Sequence, residues 1–250
     1  NAGPTGTFGF GLIPQLQADD RIERIVGIAR RPFDPSTRGW SKLAYRQGDV
    51  RDPEALRAAF EGADVVIHLA FLVIGNATRE ILRQVNVGGT LAVFRAAAAA
   101  GAGRFVSASS VAAYGFHADN PATMAEDWPV RPARRLFYAQ EKAELEHLLG
   151  AEAADHPGTE LYLVRPSIVL GPHALGAKRV LPRPLEELGR LLVGLAGRLP
   201  VPIPVVVPDF PIQFVHEDDV GQALLRCAVG AGPPSVQIEE RRVGKECRSR

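Results

Sequence analysis

Short apolar segments alternate with helical patterns up to about residue 170, and this alternation restricts the fold more than any other feature. Residues 24–29, 65–71 and 104–109 are predicted strands, and residues 54–60 and 86–100 are predicted helices. Continuous β-branched runs of this length suit strands that are covered on both faces, as in a parallel sheet with right-handed crossovers. The sequence therefore predicts an α/β fold built on a doubly wound parallel sheet.

Composition restricts the class of protein. The chain has 250 residues, 46% of them hydrophobic, and a formal net charge of +1. It is long enough for one domain, or one domain plus a small lobe, with a sizeable core. No apolar run approaches the roughly 18 residues that span a bilayer, and the near-neutral charge provides no general attraction to nucleic acid. We therefore predict a soluble, cytoplasmic protein with neither a membrane nor a nucleic acid as partner.

A glycine-rich turn lies near the start of the chain. Gly3, Gly6 and Gly9 form a Gly-x-x-Gly-x-x-Gly pattern that also contains Thr7 and Phe8, and apolar residues at helical spacing follow it. Such a turn lets the backbone approach a pyrophosphate at the N-terminus of a helix. The pattern predicts a dinucleotide site.

The residues after the first predicted strand bear on the choice of dinucleotide. This strand ends at Ala29 and is followed by Arg30 and Arg31. In dinucleotide-binding folds an acidic residue here binds the ribose 2′-hydroxyl, whereas an arginine suits a 2′-phosphate. We therefore predict NADP, with NAD as the alternative and Arg30 as the phosphate contact. The other interpretation is that both arginines are a solvated surface pair.

A tyrosine and a lysine four residues apart indicate catalysis. Tyr138 and Lys142 would lie on one face of a helix, because residues i and i+4 are neighbours there. A nearby ammonium group lowers the pKa of a phenol, which makes tyrosine usable as a base near neutral pH. Ser110 and its neighbour Ser109 end a predicted strand upstream. This constellation is typical of an oxidoreductase.

Taken in order, these features resemble the extended short-chain dehydrogenase/reductase family, the group of NAD(P)-dependent epimerases and dehydratases. The resemblance covers nearly all of residues 1–238 and implies a Rossmann-like fold with a small, incomplete substrate-binding lobe. Further motifs that match the family, in the family's order, are Gly48-Asp49-Val50, His68-Leu69-Ala70, Asn86-Val87-Gly88-Gly89-Thr90, Arg165-Pro166, Gly171-Pro172 and the segment 214–220.

The resemblance implies a role for each candidate catalytic residue. Tyr138 would exchange a proton with a substrate alcohol or ketone while hydride moves to or from the nicotinamide. Lys142 would lower the pKa of Tyr138 and bind the nicotinamide ribose. Ser110 would hydrogen-bond the reacting oxygen; it is preferred to Ser109 because it directly precedes Val-Ala-Ala-Tyr-Gly, as the family's catalytic serine or threonine does.

The resemblance also extends the cofactor site. It implies that Asp49 contacts the adenine and that the segment after His68 lines the cofactor cleft. The residues predicted to bind the cofactor are Gly3, Gly6, Thr7, Phe8, Gly9, Arg30, Asp49, Val50, Leu69, Ala70, Phe71, Asn86, Tyr138, Lys142 and Pro166.

The substrate class stays open between two kinds of small molecule. Sugar-nucleotide 4,6-dehydratases that resemble this family have an Asp-Glu pair after the catalytic hydroxyl residue, because eliminating water needs an extra acid and base. This chain has Val111 and Ala112 there, which argues against a dehydratase. The apolar segment 71–74 favours a less polar substrate, so a ketone reductase or hydroxysteroid-type dehydrogenase competes with a nucleotide-sugar epimerase. The family also implies a homodimer.

A different class of function is a non-catalytic relative that binds a dinucleotide as a redox sensor or an assembly factor. Such relatives commonly lack the catalytic tyrosine and lysine. The presence of Tyr138 and Lys142 favours an enzyme.

No metal site is predicted. The two cysteines lack the spacing of metal ligands and fit a reducing compartment. His68, His216, Asp218 and Asp219 also lack a ligand spacing such as His-x-x-x-His. Asp218 and Asp219 are instead expected to cap a helix.

Two domains are predicted. Residues 1–170 would form the NAD(P)-binding Rossmann domain, and residues 171–238 a partial substrate-binding lobe that returns to the Rossmann core near 212–228. Within the lobe, the leucine-spaced segment 185–199 is expected to form a core helix.

Both ends of the sequence carry an expectation. A glycine-rich turn of this kind usually follows a buried strand, so a short strand is expected to precede Asn1. Residues 239–250 resemble the translation of a sequencing adapter and are expected to be a non-native tail outside the fold.

Overall fold

A computed structural model describes residues 3–72, 78–121, 123–174, 213–232, 234 and 236–239. The predicted lobe helix of residues 185–199 and the tail beyond Glu239 lie outside these residues. No helix within the described ranges is both long and apolar enough to cross a membrane.

Helices and parallel strands alternate through the described part of the chain. The α-helices are α1 (Thr7–Ala18), α2 (Pro53–Phe60), α3 (Arg79–Arg83), α4 (Gly89–Ala99), α5 (Phe137–Asp155) and α6 (Glu217–Ala228). The strands are β1 (Ile25–Ala29), β2 (Leu43–Gln47), β3 (Val65–His68), β4 (Arg104–Ala108), β5 (Glu160–Pro166), β6 (Ile168–Leu170), β7 (Phe214–His216) and β8 (Val236–Glu239).

All strand pairs among the described residues are parallel. A four-stranded sheet has the order β3-β4-β5-β8, while β1 pairs with β2 and β6 with β7 in two further sheets. The predicted α/β fold with parallel strands is confirmed.

The core lies on both faces of this sheet system, as the continuous apolar runs predict. Successive residues of a strand point to opposite faces, and in β4 Phe105 and Val106 are both fully buried. Phe105 packs in a cluster with side chains of α2, α4 and α5, whereas Val106 packs with those of α1 and α6. Helices therefore cover both faces of the sheet.

Helix caps follow local chemistry, with one correction. Asp52 caps α2, because its carboxylate accepts hydrogen bonds from the backbone N–H groups of Glu54 and Ala55. The prediction that Asp218 and Asp219 cap α6 is wrong. His216 is the cap, because its Nδ1 accepts a hydrogen bond from the backbone N–H of Asp218 at 3.2 Å. The two aspartates lie in the first turn, where the helix dipole favours negative charge.

Two element boundaries differ from the predictions in ways that affect the site. The strand predicted over residues 65–71 ends at His68, which leaves Leu69 to Leu72 as a loop. The helix predicted over residues 86–100 begins with a π-helical turn, Gln84–Gly88. A third boundary also differs, because Glu239, assigned from the sequence to the tail, ends β8 and pairs there with Pro166.

The helices α1 and α6 touch at two glycines. A Cβ atom on Gly11 would overlap the backbone carbonyl of Glu217, and one on Gly221 would overlap the carbonyl of Gly11. The two backbones approach too closely for any side chain between them. This contact attaches α6 to the helix that follows the glycine-rich turn.

We expect Gly221→Ala to lower the free energy of unfolding by about 1–3 kcal/mol, because the added methyl group must push two backbones apart. Gly150→Ala is the matched control, since Gly150 lies inside α5 with no neighbour within 4 Å of its added Cβ. That change should raise stability by roughly 0.5–1 kcal/mol through the better helix propensity of alanine. Urea unfolding followed by circular dichroism measures both, and equal midpoints for the two variants would contradict the prediction.

Candidate active site

The three predicted catalytic residues come together at the end of β4. Ser110 precedes a 3-10 turn, Val111–Tyr114, and its Oγ accepts a hydrogen bond from the Ala112 N–H at 3.2 Å. Tyr138 lies in the first turn of α5, close enough to Ser110 for that hydroxyl to act on the pKa of Tyr138 in the lowering direction. The Nζ of Lys142, one helical turn later, is 5.9 Å from the centroid of the Tyr138 ring. The i,i+4 spacing thus brings both side chains to the end of β4.

Ser109, the neighbouring alternative, points elsewhere. Its hydroxyl donates a hydrogen bond to the carboxylate of Glu146, and both residues are buried. The Ser109 side chain therefore belongs to the contact between β4 and α5, and the geometry favours Ser110 as the hydroxyl that accompanies Tyr138.

The pKa of Tyr138 does not follow the prediction. Burial raises it above its ordinary value, and only the hydrogen bond with Ser110 acts in the lowering direction. Lys142 Nζ instead donates a hydrogen bond to the Ala108 carbonyl at 2.7 Å and lies 3.7 Å from the centroid of the Phe71 ring. The lysine is therefore bound to the strand end and covered by an aromatic ring, and the phenol is protonated at neutral pH in this structure.

Lys142 is itself perturbed. Burial lowers the pKa of its ammonium group from 10.5 to about 7, while the carboxylates of Glu146 and Glu141 act in the raising direction. His68, on β3, has a pKa lowered to about 3 by burial and by the charge of Lys142, so its ring is neutral. The His68 Nε2 atom lies 2.9 Å from the hydroxyl of Thr90.

A buried asparagine fixes the loop that follows β3. Asn86 lies on the π-helical turn, and its side-chain amide makes two hydrogen bonds to Leu72, accepting from the N–H at 2.7 Å and donating to the carbonyl at 3.0 Å. The same amide donates to the carboxylate of Glu141 on α5 at 2.9 Å. Phe71, the neighbour of Leu72, packs edge-on against the Tyr138 ring with centroids 5.6 Å apart. Asn86 therefore positions the Phe71 ring in the candidate active site. The sequence predicted Asn86 only as a cofactor-binding residue and did not indicate this role.

A second buried network lies behind the catalytic residues. Glu146 on α5 binds the guanidinium of Arg165 on β5 through both carboxylate oxygens, with the shortest contact at 2.6 Å. Arg165 also donates to the hydroxyl of Tyr114. The sequence flagged Arg165 only as part of a motif and did not identify Glu146. The available signal for Glu146 was its position four residues after Lys142, because that spacing places both residues on the same helix face.

The predicted cofactor residues follow the carboxyl ends of the strands. Arg30 follows β1, Asp49 follows β2, the loop Leu69 to Phe71 follows β3, and Pro166 ends β5. Ligands of open parallel sheets bind in the crevice outside these ends. These predicted cofactor residues therefore lie along one edge of the fold, the edge that also carries Ser110 at the end of β4.

The glycine-rich turn precedes α1 as predicted. Gly6 is the N-terminal cap residue, and the first turn of α1 has neither a side-chain cap nor an acidic residue. A Cβ atom on Gly9 would overlap the Pro4 carbonyl, so the turn requires glycine there. The Thr7 hydroxyl donates to the His173 carbonyl at 3.0 Å, and Phe8 packs against the core. Among the described residues no side chain caps this helix N-terminus, so its first N–H groups suit an anionic group such as a pyrophosphate.

Asp49 is already bound by a cation. The Asp49 carboxylate accepts three hydrogen bonds from Arg51, one from its backbone N–H and two from its guanidinium. These bonds hold the pKa of Asp49 below its usual value, and the charge of Arg30 acts in the same direction. Val50, which follows Asp49, packs against the core cluster on the α2 side.

No group of three or more histidine, cysteine, aspartate or glutamate side chains within the described residues is placed to hold a metal ion.

The sequence is similar to several known proteins. The sequence model of the NAD dependent epimerase/dehydratase family matches residues 2–231. Sterol demethylase protein B of Methylococcus capsulatus is 33% identical over 172 residues, which cover 68% of this chain and 51% of that protein. Ceramide reductase of Caulobacter vibrioides is 30% identical over 225 residues, which cover 89% of this chain and 58% of that protein.

Solved structures share the fold. DesIV, a dTDP-glucose 4,6-dehydratase from Streptomyces venezuelae with NAD and TYD bound, is similar with a TM-score of 0.70 at 21% identity, over 94% of this chain and 73% of that chain. By contrast, the chain spans only 51% and 58% of the lengths of the two relatives above.

We expect Glu146→Gln to lower the free energy of unfolding by about 3–5 kcal/mol, because it leaves the buried Arg165 charge without a counter-charge. The matched control is Glu54→Gln, which removes an equal charge from a pair with Arg57 whose side chains are 81% and 78% exposed. That change should cost less than about 1 kcal/mol. Urea unfolding of both variants provides the measurement, and a Glu146→Gln loss as small as that of the control would refute the role of the pair.

Proposed function

Since the chain belongs to the NAD dependent epimerase/dehydratase family, we propose that it is an NAD(P)-dependent oxidoreductase acting on an alcohol or ketone through Ser110, Tyr138 and Lys142. One observation carries the proposal. Ser110, Tyr138 and the buried Lys142 lie together at the carboxyl end of β4, beside the strand ends where a dinucleotide binds in this kind of sheet.

The chain's own residues account for the proton side of the reaction. When bound, the nicotinamide supplies hydride to the carbonyl carbon or accepts it from the alcohol carbon. In the direction of reduction, Tyr138 gives its phenolic proton to the carbonyl oxygen, and the product is the alcohol. The raised pKa of Tyr138 keeps that proton in place until it is needed. Ser110 orients the Tyr138 hydroxyl and the substrate oxygen.

The reverse direction uses the lysine. Oxidation of the alcohol requires Tyr138 to accept the hydroxyl proton, so the phenolate must be stabilised. Lys142 is the nearest cation on the same helix face, and its ammonium form supplies the positive charge. The lysine is useful in this role only while it keeps its own proton.

The proposed cofactor is NADP. Arg30 follows β1 directly, and no carboxylate occupies the position where a 2′-hydroxyl would be bound. Arg51, held by Asp49, adds a second cation close to this strand end. The unsatisfied N-terminus of α1 fits the pyrophosphate of either dinucleotide.

The proposed substrate is a weakly polar alcohol or ketone. The Phe71 ring packs against Tyr138, so the reacting group would approach an apolar wall. Two relatives named for a sterol and a ceramide support this class. A 4,6-dehydratase is disfavoured, because Val111 and Ala112 follow Ser110 and provide no acid or base.

We expect Tyr138→Phe to lower kcat by at least about 100-fold, because it removes the proton donor. Binding of NADPH should change by less than about twofold, since the ring remains. The matched control is Tyr162→Phe, which removes a phenol hydroxyl that bonds to Gly232 far from the site. Steady-state kinetics over a panel of sterols, long-chain ketones and nucleotide sugars gives the measurement. Full turnover in Tyr138→Phe would refute this role and favour a mechanism that does not use the phenol.

Isothermal titration should show tighter binding of NADPH than of NADH. Arg30→Ala should weaken NADPH by about tenfold, because a charge-assisted hydrogen bond to the 2′-phosphate is lost, and should leave NADH nearly unchanged. Arg24→Ala is the control, since Arg24 is an exposed arginine at the opposite end of β1. Tighter binding of NADH by the unaltered chain would refute the assignment of Arg30.

A further inference from the structure

Glu141 is a buried carboxylate that the proposed mechanism does not use. Its side chain is on α5, next to Lys142, and the residue is only 2% exposed. One carboxylate oxygen accepts the hydrogen bond from Asn86, whereas the other, Oε1, is buried and has no hydrogen-bond partner among the described residues. A buried carboxylate oxygen without a partner is costly, so stability alone does not account for a glutamate here.

We propose that Glu141 is a positioning residue of the active site, which keeps Lys142 in its ammonium form and holds the loop after β3 against it. This proposal rests on the oxidoreductase function proposed above, because it assigns a task to a neighbour of the same catalytic lysine.

The charges around Lys142 support the first part. Glu146 also faces the lysine from α5, but its carboxylate is bound at both oxygens by Arg165 of β5. His68 faces Lys142 from β3 and is neutral, and Tyr138 is protonated at neutral pH. Within the described residues Glu141 forms no ion pair of its own. Both carboxylates act on the pKa of Lys142 in the raising direction, Glu146 more than Glu141, and Glu141 is the one of the two that no arginine binds within the described residues.

Geometry supports the second part. The bond from Asn86 Nδ2 to Glu141 fixes which way the asparagine amide faces, because a carboxylate only accepts. In that orientation the amide meets both the N–H and the carbonyl of Leu72. The adjoining residue, Phe71, then lies over the ammonium group of Lys142 at 3.7 Å from ring centroid to Nζ. Glu141 thus acts on Lys142 directly through charge and indirectly through Asn86 and the loop.

The test titrates Lys142 without relying on turnover. The chain has four lysines, so 13C-labelled lysine gives few signals, and the signal of Lys142 is the one missing from Lys142→Met. Glu141→Gln keeps an oxygen that accepts from Asn86 but removes the charge. We expect the midpoint of the Lys142 titration to fall by about one pH unit in this variant. Glu141→Asp, which restores the charge, should return the midpoint toward the wild-type value.

Glu152→Gln is the matched control. Glu152 is on the same helix and pairs with Arg95 at the surface, so its loss should leave the Lys142 midpoint unchanged. In kinetics, Glu141→Gln should lower kcat. It should also lower the pH above which activity is lost, because a smaller fraction of the protein then has a protonated Lys142. Glu141→Leu, which also releases Asn86, should in addition weaken NADPH binding by several fold.

An unshifted Lys142 midpoint in folded Glu141→Gln would overturn the proposal. A midpoint that falls equally in Glu152→Gln would also overturn it, since the effect would then be general. The titration needs no substrate, so a shift confined to Glu141→Gln supports the positioning role even if Tyr138→Phe shows that the proposed reaction is wrong.

Discussion

The buried ion pair between Glu146 and Arg165 is the interaction on which the active-site geometry depends. Two charges removed from water are tolerated only when they are paired and their remaining hydrogen-bonding groups are satisfied. Here the pair joins α5 to β5, and its other hydrogen bonds reach Ser109 at the end of β4 and Tyr114 in the 3-10 turn. Four elements are therefore fixed relative to one another at one place. Ser110 and Tyr138 meet because the segments that carry them are attached to this pair.

A second polar network lies on the other side of Lys142. Asn86 connects the π-helical turn, the loop after β3 and α5, with nearly all of its hydrogen-bonding capacity used. The lysine is thus enclosed by two networks, each of which contributes one carboxylate. In the first network the carboxylate is neutralised by an arginine, and in the second it is not. At Lys142, burial lowers the pKa while the carboxylates of both networks act to raise it.

Local sequence predicted those parts of the fold that local chemistry determines. The strands at 24–29 and 104–109 were found because continuous β-branched runs suit a covered sheet. The family resemblance is confirmed by the match over residues 2–231. The networks were not found, because α5 carries several glutamates and sequence does not separate the buried ones, such as Glu146, from the surface pair of Glu144 with Arg83. That distinction arises only when β5 packs against the helix.

The π-helical turn Gln84–Gly88 has an evolutionary consequence. Such a turn holds one residue more than an α-helical turn, and here it allows Val85, Asn86 and Val87 to be buried in succession. Deleting a single residue from it would restore regular α-helix and rotate the preceding segment by about 100° relative to α4. The hydrophobic contacts of α4 would survive, whereas the amide at position 86 would turn away from Leu72. A one-residue deletion in this short stretch would therefore be compatible with the fold but not with the active site.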